Sequence, residues 1–327
     1  MIISRAPFRI SLMGGGSDLP AYYERFSGKT LSFTINKFVY VATNQSFHQR
    51  YRFVYSRVEE VTSLDQVVHP LIREIARDYP VPFIDFASFA DVPAGTGLGS
   101  SSAFAAATAL NLASYSGVSI AADDLADYSC RIEIDRLGEP IGKQDQYAVC
   151  LGGYNTLHFN RDGSVCSDRH SGVRVGRFLE RHLSLVFTGI TRRANSTLAE
   201  QTRNLRDDQA VVDCQREIVE MVGAMHEAVA MRDAKECGRL LHHNWELKKR
   251  LSSNVGEQSI DELYQKLLSM GAYGGKVLGA GNGGFVAVFH DDNFKERLKE
   301  VGLPTLEYRF WPDGAEVVEN DAVLLPR

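Results

Sequence analysis

Apolar and polar positions alternate with a period of two over residues 31–38 and 39–45, and in part over 50–56, with Asn44-Gln45 and His48-Gln49 as turn material. That period puts every second side chain on one face, so antiparallel sheet is expected. Residues 2–10 read as a short strand interrupted by Pro7, and 83–90 as another strand. Val68, Leu71, Ile72 and Ile75 have helical spacing, which predicts a helix over 67–79 stopped by Pro80 and Pro82. A helix is expected from about Ser101 to Tyr115. A second should start near Asp123 or Asp124 and carry Leu125, Tyr128, Ile132 and Leu137 on one face. A strand over 154–159 and the turn Arg161-Asp162-Gly163-Ser164 predict a hairpin. The pattern changes after Phe178. A strand over 182–189 precedes a stretch, 194–271, that is almost wholly helical, with Val211, Cys214, Ile218, Val222, Met225 and Val229 on one face. A strand over 285–289, a helix over 293–301 and a last strand over 306–310 complete the expectation.

Three glycine-rich segments interrupt these elements. Gly14-Gly15-Gly16 follows the first strand, where it would weaken any regular element and so suits a close backbone approach. Residues 93–103, Pro-Ala-Gly-Thr-Gly-Leu-Gly-Ser-Ser-Ser-Ala, join a strand to a helix start. Unpaired amides and the positive end of a helix dipole there suit a phosphate. A Walker A loop is excluded, because no lysine follows any of these glycines. Gly279, Gly281 and Gly284 have the GxGxxG spacing of dinucleotide-binding folds, but a strand rather than a helix follows them, so that reading fails too.

Composition narrows the class. At 327 residues the chain suits two domains. A net charge of −5 gives no electrostatic reason to expect nucleic acid or an anionic membrane. No apolar run approaches the ~20 residues that span a bilayer. Five cysteines without a CxxC pair, and an N-terminus without signal-peptide features, lead to an expectation of reduced thiols and a cytoplasmic protein.

Residues 6–12 (Ala-Pro-Phe-Arg-Ile-Ser-Leu), 93–103 and 278–285 stand in the order of the three signature segments of the GHMP kinase superfamily, which the chain resembles over nearly its whole length. The resemblance implies an α+β fold of two domains. Residues 1–178 would form a ribosomal-protein-S5-domain-2-like unit with the ATP loop and catalytic acids. Residues 179–327 would form a ferredoxin-like unit with added helices and the third glycine motif. ATP and the acceptor would meet between them.

In this reading Pro93, Gly95, Gly97, Leu98, Gly99, Ser100, Ser101 and Ser102 wrap the ATP phosphates, with Gly281 and Gly283 in a second backbone wall. Ser101, or Ser102 in the same serine run, would ligate Mg²⁺ together with Glu133, although acids such as Glu133 and Asp135 near a helix C-terminus are more often at the surface. Asp145 matches the catalytic aspartate that accepts the hydroxyl proton, and Arg9 the cation beside it. Gly15, Gly16, Ser17 and Asp18 would face the acceptor.

The departures bear on the substrate. Galactokinases carry Gly-Glu-His where this chain has Gly14-Gly15-Gly16, which argues against galactose. Gly-Gly-Gly-Ser-Asp, Gln-Asp-Gln-Tyr-Ala and Thr-Gly-Ile-Thr-Arg resemble the branch that phosphorylates the C1 hydroxyl of D-glycero-D-manno-heptose 7-phosphate. The substrate's own phosphate would lie against the amides of Gly14–Gly16 or against Arg192 and Arg193, which are otherwise a solvated helix start. A fucokinase-like enzyme acting on an unphosphorylated sugar, and a non-catalytic sensor, are the alternatives. The expected partner is a small sugar or sugar phosphate, with monomer and homodimer both open.

Overall fold

The structure, a computed structural model, describes residues 1–170, 172–192, 195–253 and 255–321. β1 (Ile2–Met13), α1 (Pro20–Phe26) and β2 (Gly28–Gln45) open the chain, and β1 and β2 pair antiparallel. β2 is one long strand where the alternation suggested two. Pro7 does not end β1, because it sits at a bulge between Pro7 and Phe8, and the neighbour on the other edge reaches only Ile2–Arg5.

β3 (Tyr51–Val54), β4 (Val58–Val61), α2 (Pro70–Asp78) and β5 (Ile84–Ala90) follow. β3 runs parallel to β5 instead of returning antiparallel along β2. β5 itself occupies that edge of β2 from Val39 to Gln45, so β3 must add beyond it. α2 starts three residues later than its apolar spacing suggested, with Pro70 supplying the preset φ of a first helical position.

α3 (Ser100–Tyr115) is buried on nearly all sides, and its alanines let it lie close against β1 and β2. Ser4 Oγ donates to Ala107 O, and Asn111 Nδ2 donates to Ile2 O and Val41 O, which locks the helix to both strands. α4 (Ala122–Cys130) continues in π-helical form over Arg131–Arg136. α5 (Gln144–Leu151) precedes the expected hairpin of β6 (Tyr154–Phe159) and β7 (Val165–His170).

α6 (Gly172–His182), β8 (Leu183–Phe187), α7 (Asn195–Asp207), α8 (Gln209–Met231), α9 (Ala234–Lys248) and α10 (Gln258–Ser269) lead to β9 (Ala272–Val277), β10 (Phe285–His290), α11 (Phe294–Val301) and β11 (Glu316–Asn320). The larger sheet has the order β11-β1-β2-β5-β3-β4, with β6 and β7 added along the N-terminal half of β2; the smaller sheet is β8-β10-β9.

Two expectations are corrected here. Residues 306–310 form no strand: Thr305 bridges Val186 in the smaller sheet and Phe310 bridges Ile35 in the larger. A segment crossing from one sheet to the other cannot build a ladder with either. The last strand is β11, which closes the edge of β1. α5 and α6 also form where no element was assigned. α5 is buried on most faces and shows no amphipathic period. In α6, Gly172 and Gly176 look like helix breakers, but a Cβ at Gly176 would lie 2.7 Å from the Phe310 ring, so the glycine makes room for it.

Candidate functional site

The segment that follows β5 passes beneath the end of β1. Arg9 N donates to Leu98 O, and Leu98 is fully buried, so the glycine loop is tied to the strand that precedes the first glycine run. Gly97 has φ +80°, and a Cβ there would sit 2.7 Å from Leu278 O; the second and third glycine segments therefore touch backbone to backbone. Gly99 caps α3 in the left-handed conformation, and no side chain bonds the first-turn amides. Uncapped first-turn amides are an arrangement that suits an anion.

Three consecutive residues at the start of α5 organise the polar floor. Gln144 N donates to Asp18 Oδ2 at 3.1 Å, and Gln144 Nε2 donates to Ser11 Oγ at 2.8 Å. Asp145 receives Arg9 Nε and Nη2 at 2.7 and 2.8 Å, a bidentate pair, while Arg9 Nη1 donates to Gly97 O at 2.7 Å. Gln146 Nε2 donates to Glu133 Oε2 at 2.8 Å, and Ser101 Oγ donates to Glu133 Oε1 at 2.6 Å. Arg9 is buried, whereas the Asp145 side chain keeps 31% exposure toward the cleft. Glu133 is buried and Asp135 exposed, so the surface reading holds for only one of the two acids. The π-helical turn sets Glu133 facing the serines, and such turns recur at functional sites. Burial pushes the Glu133 carboxyl up from its ordinary value, against hydrogen bonds from Ser101, Ser102 and Gln146 that favour the charged form. Burial, with the Asp145 charge second, pushes Asp18 up as well.

These groups line one cleft of about 940 Å³. Gly15, Gly16, Asp18, Gly95, Gly97, Gly99, Ser100, Ser101, Ser102, Glu133, Asp145, Arg192 and Gly283 all border it. Four expected residues do not. Pro93 is exposed outside it, and Leu98 is core. Ser17 is buried, its hydroxyl donating to Gly14 O and Lys29 O, so it shapes the turn. Gly281 packs against Trp245 and Val255 and lends its carbonyl to Gly256 N. Arg193 lies outside the described residues, and Arg192 is half exposed and paired with Glu257 on the rim.

The first glycine run does not present a free nest. Gly16 N donates to Asp18 Oδ1 at 2.9 Å, and Gly14 O accepts from Ser17 N and Oγ. A carboxylate of the protein already holds the amide of Gly16 that an anion would need.

Sequence reasoning missed two parts of the cleft. One is an apolar end formed by Val39, Tyr55, Val68, Phe89, Val92 and Phe104, where Val68 and Phe89 are each 64% exposed. Val68 was visible only as one apolar position of the α2 pattern, and Phe89 as a strand residue. The other is a pair of buried lysines, Lys248 at the end of α9 and Lys276 on β9. A lysine inside an otherwise apolar strand was the available signal. Among the described residues no helix is long and apolar enough to cross a membrane.

Comparison with known proteins agrees with this arrangement. The model of the GHMP kinases N terminal domain matches residues 66–153, and that of the GHMP kinases C terminal matches 221–302, together more than half of the chain. The D-glycero-alpha-D-manno-heptose 7-phosphate kinase of Campylobacter jejuni is 27% identical over 96% of this chain and 98% of its own. An L-fucokinase/L-fucose-1-P guanylyltransferase of Bacteroides fragilis is 24% identical, with 92% of this chain matching 36% of that protein. The crystal structure of a D-glycero-D-manno-heptose 1-phosphate kinase from Bacteroides thetaiotaomicron superposes with a TM-score of 0.82 at 24% identity, covering 98% of this chain and all of that one, which shows a shared fold. With both halves of the family matched around one cleft of glycine loops and paired carboxylates, the chain belongs to the GHMP kinases, enzymes that transfer a phosphoryl group from ATP.

Proposed function

We propose that the chain phosphorylates the anomeric C1 hydroxyl of D-glycero-D-manno-heptose 7-phosphate, giving the 1,7-bisphosphate. The observation that carries the substrate is the end-to-end similarity to the Campylobacter jejuni enzyme, over 96% of one chain and 98% of the other. The absence of the galactokinase Glu-His at Gly15-Gly16 supports it.

The donor fits the cleft by shape and charge. Adenine would enter the apolar end, covering Val68 and Phe89, and the phosphates would run along Gly95–Gly99 to the open amides of α3. Glu133 with the Ser101 and Ser102 hydroxyls offers hard oxygen donors for Mg²⁺. Such an ion would take its other oxygens from water and phosphate. When bound, the ion would neutralise phosphate charge.

Asp145 then receives the proton of the acceptor hydroxyl. Arg9 bonds one side of each carboxylate oxygen and fixes the plane, leaving the remaining lone pairs toward the cleft. Asp18, buried beside it, would hold sugar hydroxyls.

The test is an ATP-consumption assay with heptose 7-phosphate, the unphosphorylated heptose, L-fucose and galactose. Heptose 7-phosphate is expected to have the highest kcat/KM by at least an order of magnitude. A higher value for L-fucose would replace this reading with the fucokinase-like one, and no turnover with any of the four would remove the heptose assignment.

A further inference from the structure

Lys248 and Lys276 are 9% and 3% exposed, and both line the cleft. Arg9, by contrast, has Asp145, and Arg192 has Glu257. Lys248 Nζ donates only to the carbonyl of Gly279, a dipole that cannot neutralise it, and Lys276 has no hydrogen bond or ion pair among the described residues. Two ammonium groups taken out of water without a direct ion-pair partner are disfavoured unless they are neutral or a ligand supplies the charge.

Their position narrows what that ligand is. Gly279, the partner of Lys248, touches Gly97, whose carbonyl holds Arg9 against Asp145. The lysines therefore flank the junction of the second and third glycine segments, on the side of the cleft contributed by α9 and β9. The first glycine run has given its Gly16 amide to Asp18, and Arg192 is on the rim. We infer that Lys248 and Lys276 form a phosphoryl subsite, in which anionic phosphate oxygens of a bound substrate supply the missing counter-charge.

Two sources share that chemistry, the terminal phosphate of the nucleotide and the phosphate already on the acceptor. The first rests on the kinase family alone; the second rests on the sugar-phosphate reading above. Burial lowers both lysines, Lys248 to about 8, with Arg9 lowering it further and Asp18 and Asp145 raising it; Lys276 is also lowered by Lys248 and Arg9. An arriving anion favours their charged forms, so binding near pH 8 takes up protons.

The test uses Lys248→Met and Lys276→Met, which keep length and remove charge. Isothermal titration measures AMPPNP, ADP, heptose 7-phosphate and unphosphorylated heptose at pH 8, each in two buffers of different ionisation enthalpy. The expected result is an apo Tm equal to or above that of the parent. Affinity should fall roughly 10- to 100-fold for a phosphorylated ligand, as for a lost hydrogen bond to a charged group, and proton uptake should shrink, each variant leaving one of the two lysines. A loss for AMPPNP but not ADP assigns the nucleotide's terminal phosphate. A loss for heptose 7-phosphate but not heptose assigns the acceptor's phosphate. Unchanged AMPPNP affinity with no loss that depends on the acceptor's phosphate overturns the subsite, whether or not heptose 7-phosphate is the acceptor. Should a variant fail to fold, Lys248→Gln or Lys276→Gln replaces it: affinities for AMPPNP and heptose 7-phosphate equal to the parent's overturn the subsite.

Discussion

Two glycine segments border the same cleft and behave oppositely. Around Gly16 the backbone bonds its own chain: the amide goes to Asp18, and Asp18 in turn holds the first amide of α5. From Gly95 to Gly99 the loop ends in a helix whose first-turn amides have no side-chain cap. Both segments use left-handed glycines, at φ +96° for Gly16 and +80° for Gly97. What differs is the neighbour. A Cβ at Gly16 would meet the amide ends of Gln201 and Gln215, which can swing aside, whereas one at Gly97 would meet the backbone of Leu278 and Gly279, which cannot. A glycine run is thus open to an anion only where its amides are left over; elsewhere it brings a side chain close.

The largest effects should come from the groups that this contrast separates into donor and acceptor sides. Asp145→Asn keeps the size but leaves Arg9 facing an amide, and kcat should fall by about 10²–10⁴, the usual worth of a general base. AMPPNP affinity, measured by titration, should stay within a few-fold. Normal turnover would remove Asp145 as the base and leave transfer without one. Gly97→Ala should be comparably severe by the other route. It adds a strained φ, worth ~1–2 kcal/mol, to a backbone clash, so nucleotide binding itself should be lost while circular dichroism still reports the fold.

Asp18→Ala comes next. It leaves the buried amide of Gln144 without an acceptor, at roughly 1–3 kcal/mol, and the part-buried amide of Gly16 without one at a smaller cost. Because Gln144 precedes Asp145 at the start of α5, both kcat and acceptor KM should suffer, by about one to two orders of magnitude, with AMPPNP affinity spared. Asp18→Asn retains one acceptor oxygen and should recover part of the loss. If Asp18→Ala weakened AMPPNP instead, the division of the cleft into a self-bonded and an open loop would be wrong. Gly16→Ala should be milder, a several-fold rise in acceptor KM: it carries the same strain of a positive φ as Gly97→Ala, but it meets glutamine side-chain ends instead of backbone.

How much of this could be read beforehand follows from what each feature depends on. Strands with a period of two and the amphipathic helices α2 and α8 were legible, because their pattern is local. Arg9, Asp145 and Glu133 were legible only through motif order; their meeting depends on α5 and a π-helical turn, and neither leaves a period in the sequence. The buried α5 hides among residues that look like loop. Gly176 reads as a helix breaker until the Phe310 ring that fills its place is known. The lysines of the cleft and its apolar end come from α9, β9, β5 and α2, segments far apart in sequence, so their convergence is a property of the tertiary fold.

The smallest expected effect is that of Arg192→Ala. Sequence reasoning offered Arg192, with Arg193, as one of two places for the substrate's phosphate, and it does border the cleft. Its side chain, however, is 48% exposed and already paired with Glu257 at the start of α10, while its backbone N–H donates to Gly95 O at 3.2 Å. An exposed pair of this kind is worth about 0–1 kcal/mol, and the backbone bond survives the substitution. The rim should therefore tolerate the change, with KM for heptose 7-phosphate rising no more than about fivefold, the kinetic equivalent of that energy. A tenfold or greater rise, absent with unphosphorylated heptose, would mean that Arg192 leaves Glu257 to grip the acceptor's phosphate. The open loop would then be joined by a second anion site at the rim.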